Sequence, residues 1–210
     1  MNKKEGQLLI EDFEPQVSVT EDELTEYIVE KLSPYFSIYK ELRGEFTHWN
    51  QTRDVRIDLG LYPKQETIDA GFPEIFFGIE VKCFKIGEDL EWDFPKFKDT
   101  ISQCLTYKYA KFGNSNIEPA FILLADNFSV RYKIEPRSNR NEYKRKTNFL
   151  MGFMSTQNVG SLIIYESGEI GFKLSKSPFI WNTQKENTNF QLLNLYAGNR
   201  CIRKNPLKPF

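Results

Sequence analysis

Histidine and cysteine are scarce in this sequence, and their scarcity excludes several kinds of catalytic and metal site. His48 is the single histidine among 210 residues. Zinc hydrolases, histidine-metal nucleases and Ser-His-Asp arrangements are therefore excluded unless His48 is the one base. The three cysteines, Cys83, Cys104 and Cys201, are odd in number and widely spaced, which fits neither a disulfide framework nor a zinc cluster. We interpret them as reduced packing residues.

Long hydrophobic runs are also missing. The longest apolar run, AFILLA at residues 120–125, is far too short to cross a bilayer. The acidic start of the chain has no apolar segment of signal-peptide length. The pattern G-x-x-x-x-G-K-[ST] does not occur, so no nucleotide-driven motor is expected. We therefore expect a cytoplasmic protein with no membrane partner.

The composition is that of a folded globular protein. Hydrophobic residues make up 40% of the chain, with 18 phenylalanines, and 210 residues are enough to bury a proper core in one domain. Strands are predicted from alternating or continuous apolar residues. They fall at residues 36–46, 53–62, 76–84 and 118–126, with a hairpin at 159–174 that turns at Ser167 and Gly168.

Helices are predicted where apolar residues recur at helical spacing. They fall at residues 21–33, 94–112 and 187–196. Thr20 and Glu23 form a capping box at the start of the first helix, and Pro34 ends it. The polar residues 63–74 predict a long connection that makes strands 53–62 and 76–84 antiparallel neighbours. This order of elements indicates an α/β fold with a central mixed β-sheet flanked by helices.

A glutamate and a lysine interrupt the apolar strand FFGIEVKCF at residues 76–84. Strand alternation places Glu80 and Lys82 on one face, with Phe77, Ile79, Val81 and Cys83 on the other. In strand 53–62 it places Asp58 opposite the apolar row Val55, Ile57, Leu59 and Leu61. Pairing the two apolar faces brings Asp58 beside Glu80 and Lys82. Two carboxylates with open water positions suit Mg²⁺, although a solvent-facing hairpin with a cross-strand salt bridge is the alternative interpretation.

These residues resemble the motif of the PD-(D/E)XK nuclease superfamily, in which an Asp on one strand and Glu-x-Lys on the next carry catalysis. Asp58 in RIDLG and Glu80-Val81-Lys82 in IEVK match that motif, with Ile57 where the family name has proline. The helix that follows contains QCLTY, so Gln103 and Tyr107 match the Q-x-x-x-Y pattern of the branch that includes lambda exonuclease and RecB-type nucleases. The spacing places both on one helical face.

The resemblance implies a restriction-endonuclease-like core at residues 20–126, after a polar lead at 1–19 and before a C-terminal α+β elaboration at 127–210. It implies Mg²⁺-dependent hydrolysis of DNA, with Mn²⁺ as a substitute and with Asp58, Glu80 and the Val81 carbonyl as metal ligands. Lys82 would position or deprotonate the attacking water, and Gln103 and Tyr107 would orient Lys82 or the phosphate. These five side chains and Glu23, an acid from the first helix, form the expected catalytic set, with Glu30 as a rival for Glu23.

A basic segment follows strand 118–126. In the fold that the resemblance implies, that strand lies beside strand 76–84, the motif strand that contains Glu80 and Lys82. It has seven basic residues against Glu135 and Glu142, and we expect them to contact DNA unless the segment is only a solvated loop. They are Arg131, Lys133, Arg137, Arg140, Lys144, Arg145 and Lys146. We expect an endonuclease, for which a homodimer suits paired cuts on duplex DNA. The alternative is a catalytically inactive nuclease-fold protein that binds nucleic acid or serves as a scaffold.

Overall fold

The computed structural model describes residues 19–84, 94–126, 140–164, 168–174 and 181–182, with the backbone alone at 140–147 and 181–182. The helices are α1 (Glu21–Leu32), α2 (Gln65–Asp69), α3 (Phe94–Lys108) and α4 (Arg140–Thr156). The strands are β1 (Phe36–His48), β2 (Gln51–Pro63), β3 (Phe77–Lys82), β4 (Lys111–Phe112), β5 (Ile122–Asp126), β6 (Gly160–Ile164), β7 (Ile170–Lys173) and β8 (Trp181–Asn182).

One mixed sheet contains all of these strands, in the order β4-β1-β2-β3-β5-β6-β7-β8. β1, β2 and β3 form an antiparallel meander, and β5 then lies parallel to β3 after the crossover through α3. β6 continues the sheet parallel to β5, and β7 returns antiparallel. The predicted α/β class with a central mixed sheet is confirmed, as is the position of β5 beside the motif strand.

Helix α1 forms where the capping box predicts it. The Thr20 side chain accepts a hydrogen bond from the Glu23 backbone N–H, and the Glu23 carboxylate accepts one from the Thr20 backbone N–H. Leu24, Ile28 and Leu32 follow at a spacing of four residues and are all buried. The helix therefore starts on a polar cap and lays one apolar stripe on the sheet.

The sheet buries an apolar layer on each face. On the face covered by α1, the core contains Leu24, Ile28, Phe36, Phe77, Ile79, Leu123 and Phe172. We call it the α1 core. On the other face, beneath α3 and α4, it contains Ile57, Phe97, Ile101, Cys104, Ile122, Leu124 and Met154. We call it the α3 core. Strand β5 contributes to both, which confirms that it is covered on both faces.

The predicted alternation along β2 is wrong on one side of Asp58. Leu59 and Leu61 lie in the α1 core, but Ile57 lies in the α3 core with Val55 packed against it. The ladder between β1 and β2 has no partner pair at Glu41 and Asp58, and Glu41 has a φ of 53°. This irregularity exchanges the two faces, which uniform alternation cannot foresee.

One connection differs from the sequence prediction, because the segment at 63–74 contains the short helix α2. The basic segment, for which no secondary structure was predicted, forms the start of α4 from Arg140 onward. The predicted hairpin at 159–174 is confirmed as β6 and β7, with Gly168 at a φ of 78°. The helix predicted at 187–196, the lead at 1–18 and Cys201 lie outside the described residues.

Two further sequence predictions concern cysteines and membranes. Cys83 and Cys104 are free thiols, in agreement with their interpretation as reduced residues. Among the described helices, none combines the length and apolar character that a membrane span requires.

Candidate active site and metal centre

Asp58 lies where the ladder between β2 and β3 ends. Leu59 pairs with Ile79 and Gly60 with Gly78, which would put Asp58 opposite Glu80. Instead of continuing the ladder, the Asp58 carboxylate accepts a hydrogen bond of 2.8 Å from the Val81 backbone N–H. A side-chain oxygen thus takes the role of a ladder carbonyl, which fixes the carboxylate against the Glu80-Val81-Lys82 segment.

The Lys82 ammonium lies among the oxygens of this cluster. It is 3.0 Å from Glu80 Oε1 and 3.7 Å from Asp58 Oδ2, and it donates a hydrogen bond of 3.0 Å to the Val81 carbonyl. These are the three groups that the resemblance assigns to a metal ion. Burial lowers the pKa of Lys82, but the Glu80 and Asp58 charges outweigh it, so the pKa is raised and the side chain stays charged.

Glu80 is the buried member of the cluster, at 1% exposure. Its Oε1 meets Lys82, whereas its Oε2 is buried without a hydrogen-bond partner. Burial and the nearby Asp58 charge raise the pKa of Glu80 to about 8, and Lys82 only partly opposes them. A buried carboxylate oxygen without a donor is costly, so this atom needs a proton or a cation.

The donor set fits a hard divalent cation. Asp58, Glu80 and the Val81 carbonyl are oxygen donors on adjoining strands, and Mg²⁺ uses one or two carboxylates while it keeps several waters. The unpartnered Glu80 oxygen is consistent with such a ligand. Within the described residues, however, no group of three or more His, Cys, Asp or Glu side chains is arranged to hold a metal. The protein alone therefore offers two carboxylates, and a cation would be coordinated mainly by water.

The acid that α1 brings to the cluster is Glu21, not the predicted Glu23 or its rival Glu30. Glu21 Oε2 lies 3.6 Å from the Lys82 ammonium, and Oε1 accepts a hydrogen bond of 3.2 Å from the Cys83 N–H. The Glu23 carboxylate is committed to Thr20 in the capping box, and this contact lowers its pKa. Glu30 pairs with Lys31 on the helix surface.

Lys96, in the first turn of α3, is a neighbour that sequence reasoning missed. Its ammonium lies 3.7 Å from Glu21 Oε1, donates to the Cys83 carbonyl at 3.1 Å and lies 5.8 Å above the Phe84 ring. Lys96 thus adds a second cation at the exposed side of the cluster. Its sequence signal was weak, because one lysine in a helix with Lys98 and Lys108 is not distinctive.

Gln103 and Tyr107 share one face of α3, as their spacing predicts. The Gln103 amide donates a hydrogen bond to the Tyr107 hydroxyl, so the contact that this structure shows is with each other and not with Lys82. Tyr107 is buried, and burial together with the Glu80 charge raises its pKa well above the usual value. Burial and, second to it, the Glu80 charge also raise the pKa of Cys104, which lies between Gln103 and Tyr107 in the sequence. This face of α3 is therefore close to Glu80, and we call it the wall behind Glu80.

The predicted DNA-contacting residues are only partly located. Arg131, Lys133 and Arg137 lie outside the described residues. Arg140, Lys144, Arg145 and Lys146 belong to the backbone of α4. A cleft of about 640 Å³ lies at the β1–β2 hairpin. Its lining includes Arg43, Arg56 and Lys111 together with Glu45 and Asp54, and does not include Asp58, Glu80 or Lys82.

Comparisons of the chain with protein-family models, with curated proteins and with solved structures found no match. The resemblance to PD-(D/E)XK nucleases therefore stays a prediction from Asp58, Glu80, Lys82 and the Q-x-x-x-Y helix.

Proposed function

We propose that this protein is a Mg²⁺-dependent deoxyribonuclease with a restriction-endonuclease-like core. The observation that carries the proposal is the buried, unpartnered oxygen of Glu80 in a cluster that also contains Asp58, the Val81 carbonyl and Lys82. Burial in this state is costly until a proton or a cation compensates for it, and the neighbouring Asp58 carboxylate and Val81 carbonyl favour a cation as the working ligand.

Asp58, Glu80 and the Val81 carbonyl would hold the ion. Bound Mg²⁺ lowers the pKa of a coordinated water and neutralises charge on a phosphate. The Asp58 carboxylate is already fixed by the Val81 N–H, so little side-chain ordering remains to be done. Lys82 would exchange its carboxylate contacts for a phosphate oxygen and counter the negative charge that develops there. Glu21 and Lys96 would position Lys82 through their ion pairs.

Cleavage assays with three DNA forms test this proposal. Purified protein is incubated with supercoiled plasmid, linear duplex and single-stranded DNA, each with Mg²⁺, with Mn²⁺ or with chelator. We expect metal-dependent cleavage that Glu80→Gln or Lys82→Ala reduces at least about 100-fold. Nicking of closed plasmid would support an endonuclease. Glu66→Gln, an exposed glutamate of α2, is the matched control and should cleave like the wild type.

The basic segment gives a second, independent test of DNA as the substrate. Removing three charges with Arg137→Ala, Arg140→Ala and Arg145→Ala should weaken DNA binding and flatten its dependence on salt. The expected change is about two to three units in the slope of log K against log salt, because each phosphate contact contributes close to one unit. Metal binding should be unchanged. An unchanged slope would identify the segment as a solvated surface.

An inactive scaffold is the alternative, and one observation favours it. Lys82 already contacts Glu80, Asp58 and Glu21, so the cluster is partly neutralised by the protein itself. In a scaffold, Mg²⁺ would neither stabilise the fold nor support cleavage of any DNA form. Thermal unfolding with and without Mg²⁺ separates the two candidates. An ion that binds only the native state, present at a concentration of about 100 times its Kd, raises the free energy of unfolding by about 2.7 kcal/mol.

A further inference from the structure

The end of the β1–β2 hairpin extends beyond the rest of the sheet. β4 pairs with β1 at Gly44 and Glu45, and β3 pairs with β2 at residues 59–61. Residues 46–53 pair with each other, and no other described strand pairs with them. We call residues 46–53 the hairpin tip.

The hairpin tip lies beyond the same end of β3 at which the carboxylate cluster is located. β2 is antiparallel to β3, so the Lys82 end of β3 points toward the start of β2. Asp58 is the seventh residue after Gln51. At about 3.3 Å per residue, Gln51, next to the turn of the hairpin tip, lies about 23 Å from Asp58 along the strand. At the rise of about 3.4 Å per nucleotide of a duplex strand, DNA that passes over the cluster along this direction would reach the turn of the hairpin tip after roughly seven nucleotides, and after fewer where the strand is stretched out.

The hairpin tip exposes an aromatic side chain that packing does not explain. Trp49 is 86% exposed and sits in the turn with a φ of 50°, followed by Asn50 at 62°. Consecutive positive φ values fit the tight hairpin turn for which asparagine and glycine are the usual residues. A bulky side chain in the left-handed region is strained, so neither turn geometry nor burial accounts for a tryptophan here.

The neighbours of Trp49 form an aromatic and cationic row. The His48 ring lies 5.9 Å from the Trp49 ring and stacks on Phe46 at 6.0 Å. The Arg53 guanidinium lies 5.1 Å above Phe46 and donates a hydrogen bond of 3.1 Å to Thr106 of α3. Arg53 therefore ties the base of the hairpin tip to the helix that forms the wall behind Glu80. Residues 46–53 contain no acid, and the first acids along the hairpin are Glu45 and Asp54, which pair with each other at the base of the hairpin tip.

We propose that the hairpin tip binds DNA that has unpaired bases, with Trp49 stacking on a base. This inference rests on the proposed nuclease function and adds a substrate class to it. Exposed aromatic faces beside a cation, without acids, are what single-stranded nucleic acid binds, because every base offers a π-face. Paired bases are already stacked on their neighbours, so the preference should be for single strands or for a junction between duplex and single strand.

Binding without turnover tests the inference. A fluorescein-labelled single-stranded 20-mer and a blunt duplex of the same sequence are titrated with the full chain in chelator. We expect Trp49→Ala to weaken single-strand binding about tenfold and duplex binding about twofold or less. Trp49→Phe should keep most of the affinity. Glu66→Gln, an exposed residue of α2 beyond the opposite end of β2 from the hairpin tip, is the control that should bind like the wild type.

Fluorescence provides a direct readout of stacking. The chain has three tryptophans, so Trp92→Phe with Trp181→Phe leaves Trp49 as the single reporter. Its emission should be quenched by the single strand more than by the duplex. In cleavage assays Trp49→Ala should raise KM about tenfold and leave kcat nearly unchanged, because Trp49 lies far from the reacting atoms.

The outcomes separate this inference from the nuclease proposal. Wild-type cleavage together with unchanged single-strand binding by Trp49→Ala would overturn the inference and leave the nuclease proposal standing. Equal losses on single strand and duplex would overturn the stacking assignment. A dimer that Trp49→Ala dissociates without any change in DNA affinity would replace it with a contact between two copies of the chain. Failure of the wild type to cleave any DNA would refute the nuclease proposal itself.

Discussion

Replacing Glu80 by glutamine should stabilise the metal-free protein while abolishing its metal-dependent properties. Glutamine has nearly the same shape, and it removes the need to ionise a carboxyl group that is 1% exposed. The pKa of Glu80 is raised from 4.5 to about 8. Each pKa unit corresponds to about 1.4 kcal/mol, so the full cost of ionising Glu80 in the folded state has a ceiling of about 5 kcal/mol.

The contribution of Glu80 to the free energy of unfolding decreases as the pH rises. The folded protein holds the Glu80 proton more tightly than the unfolded chain, so the stabilising effect of that proton is complete below pH 4.5. It is lost as the pH rises toward 8. The glutamine variant has no such proton to lose. Its loss of the Lys82 ion pair offsets part of the gain, and we expect a net advantage of about 1–3 kcal/mol at pH 8 and close to zero at pH 5.

Chemical denaturation in chelator at pH 5, 6.5 and 8 measures this difference. Glu66→Gln is the surface control and should track the wild type at every pH. Added Mg²⁺ should raise the free energy of unfolding of the wild type at pH 8 and leave that of Glu80→Gln unchanged. A glutamine variant that is less stable at pH 8 than the wild type, or a difference that does not change with pH, would refute the assignment of Glu80 as the strained group.

Three further predictions test the cluster and its surroundings. Lys82→Ala should lower the free energy of unfolding by about 2 kcal/mol in chelator at pH 8, because two close carboxylates lose their cation. The same variant should bind Mg²⁺ more tightly in calorimetry, and weaker binding would count against a site shared by Lys82 and the ion. Glu21→Gln should slow DNA cleavage more than Glu23→Gln, which should lower only the melting temperature; the reverse order would restore Glu23 to the site. Gly78→Ala should lower the free energy of unfolding by about 1–3 kcal/mol, since the added methyl would overlap Ile57; an unchanged denaturation midpoint would show that the cores can adapt.

Local features of the sequence were sufficient to predict α1, α3, most of the sheet and the proximity of Asp58, Glu80 and Lys82, but not α2 or α4. A capping box acts within one helical turn, so Thr20 and Glu23 defined the start of α1 without any tertiary contact. Alternation over a few residues placed Glu80 and Lys82 on one face, and the polar connection at residues 63–74 predicted that the two strands pair antiparallel. The proximity of Asp58, Glu80 and Lys82 followed from these short-range rules.

The remaining features depended on how separate elements pack. Glu21 and Glu23 lie in the same helical turn, and only the placement of α1 against β3 determined that Glu21 meets Lys82 and Cys83. The apolar side chains of β2 change faces at Asp58 because the pairing of β1 with β2 is irregular there. The residue with the positive φ, Glu41, lies in β1, so the sequence of β2 alone did not predict this change. Lys96 reaches Glu21 because the start of α3 lies near the start of α1. Such contacts join residues far apart in the chain, and no periodicity of either segment encodes them.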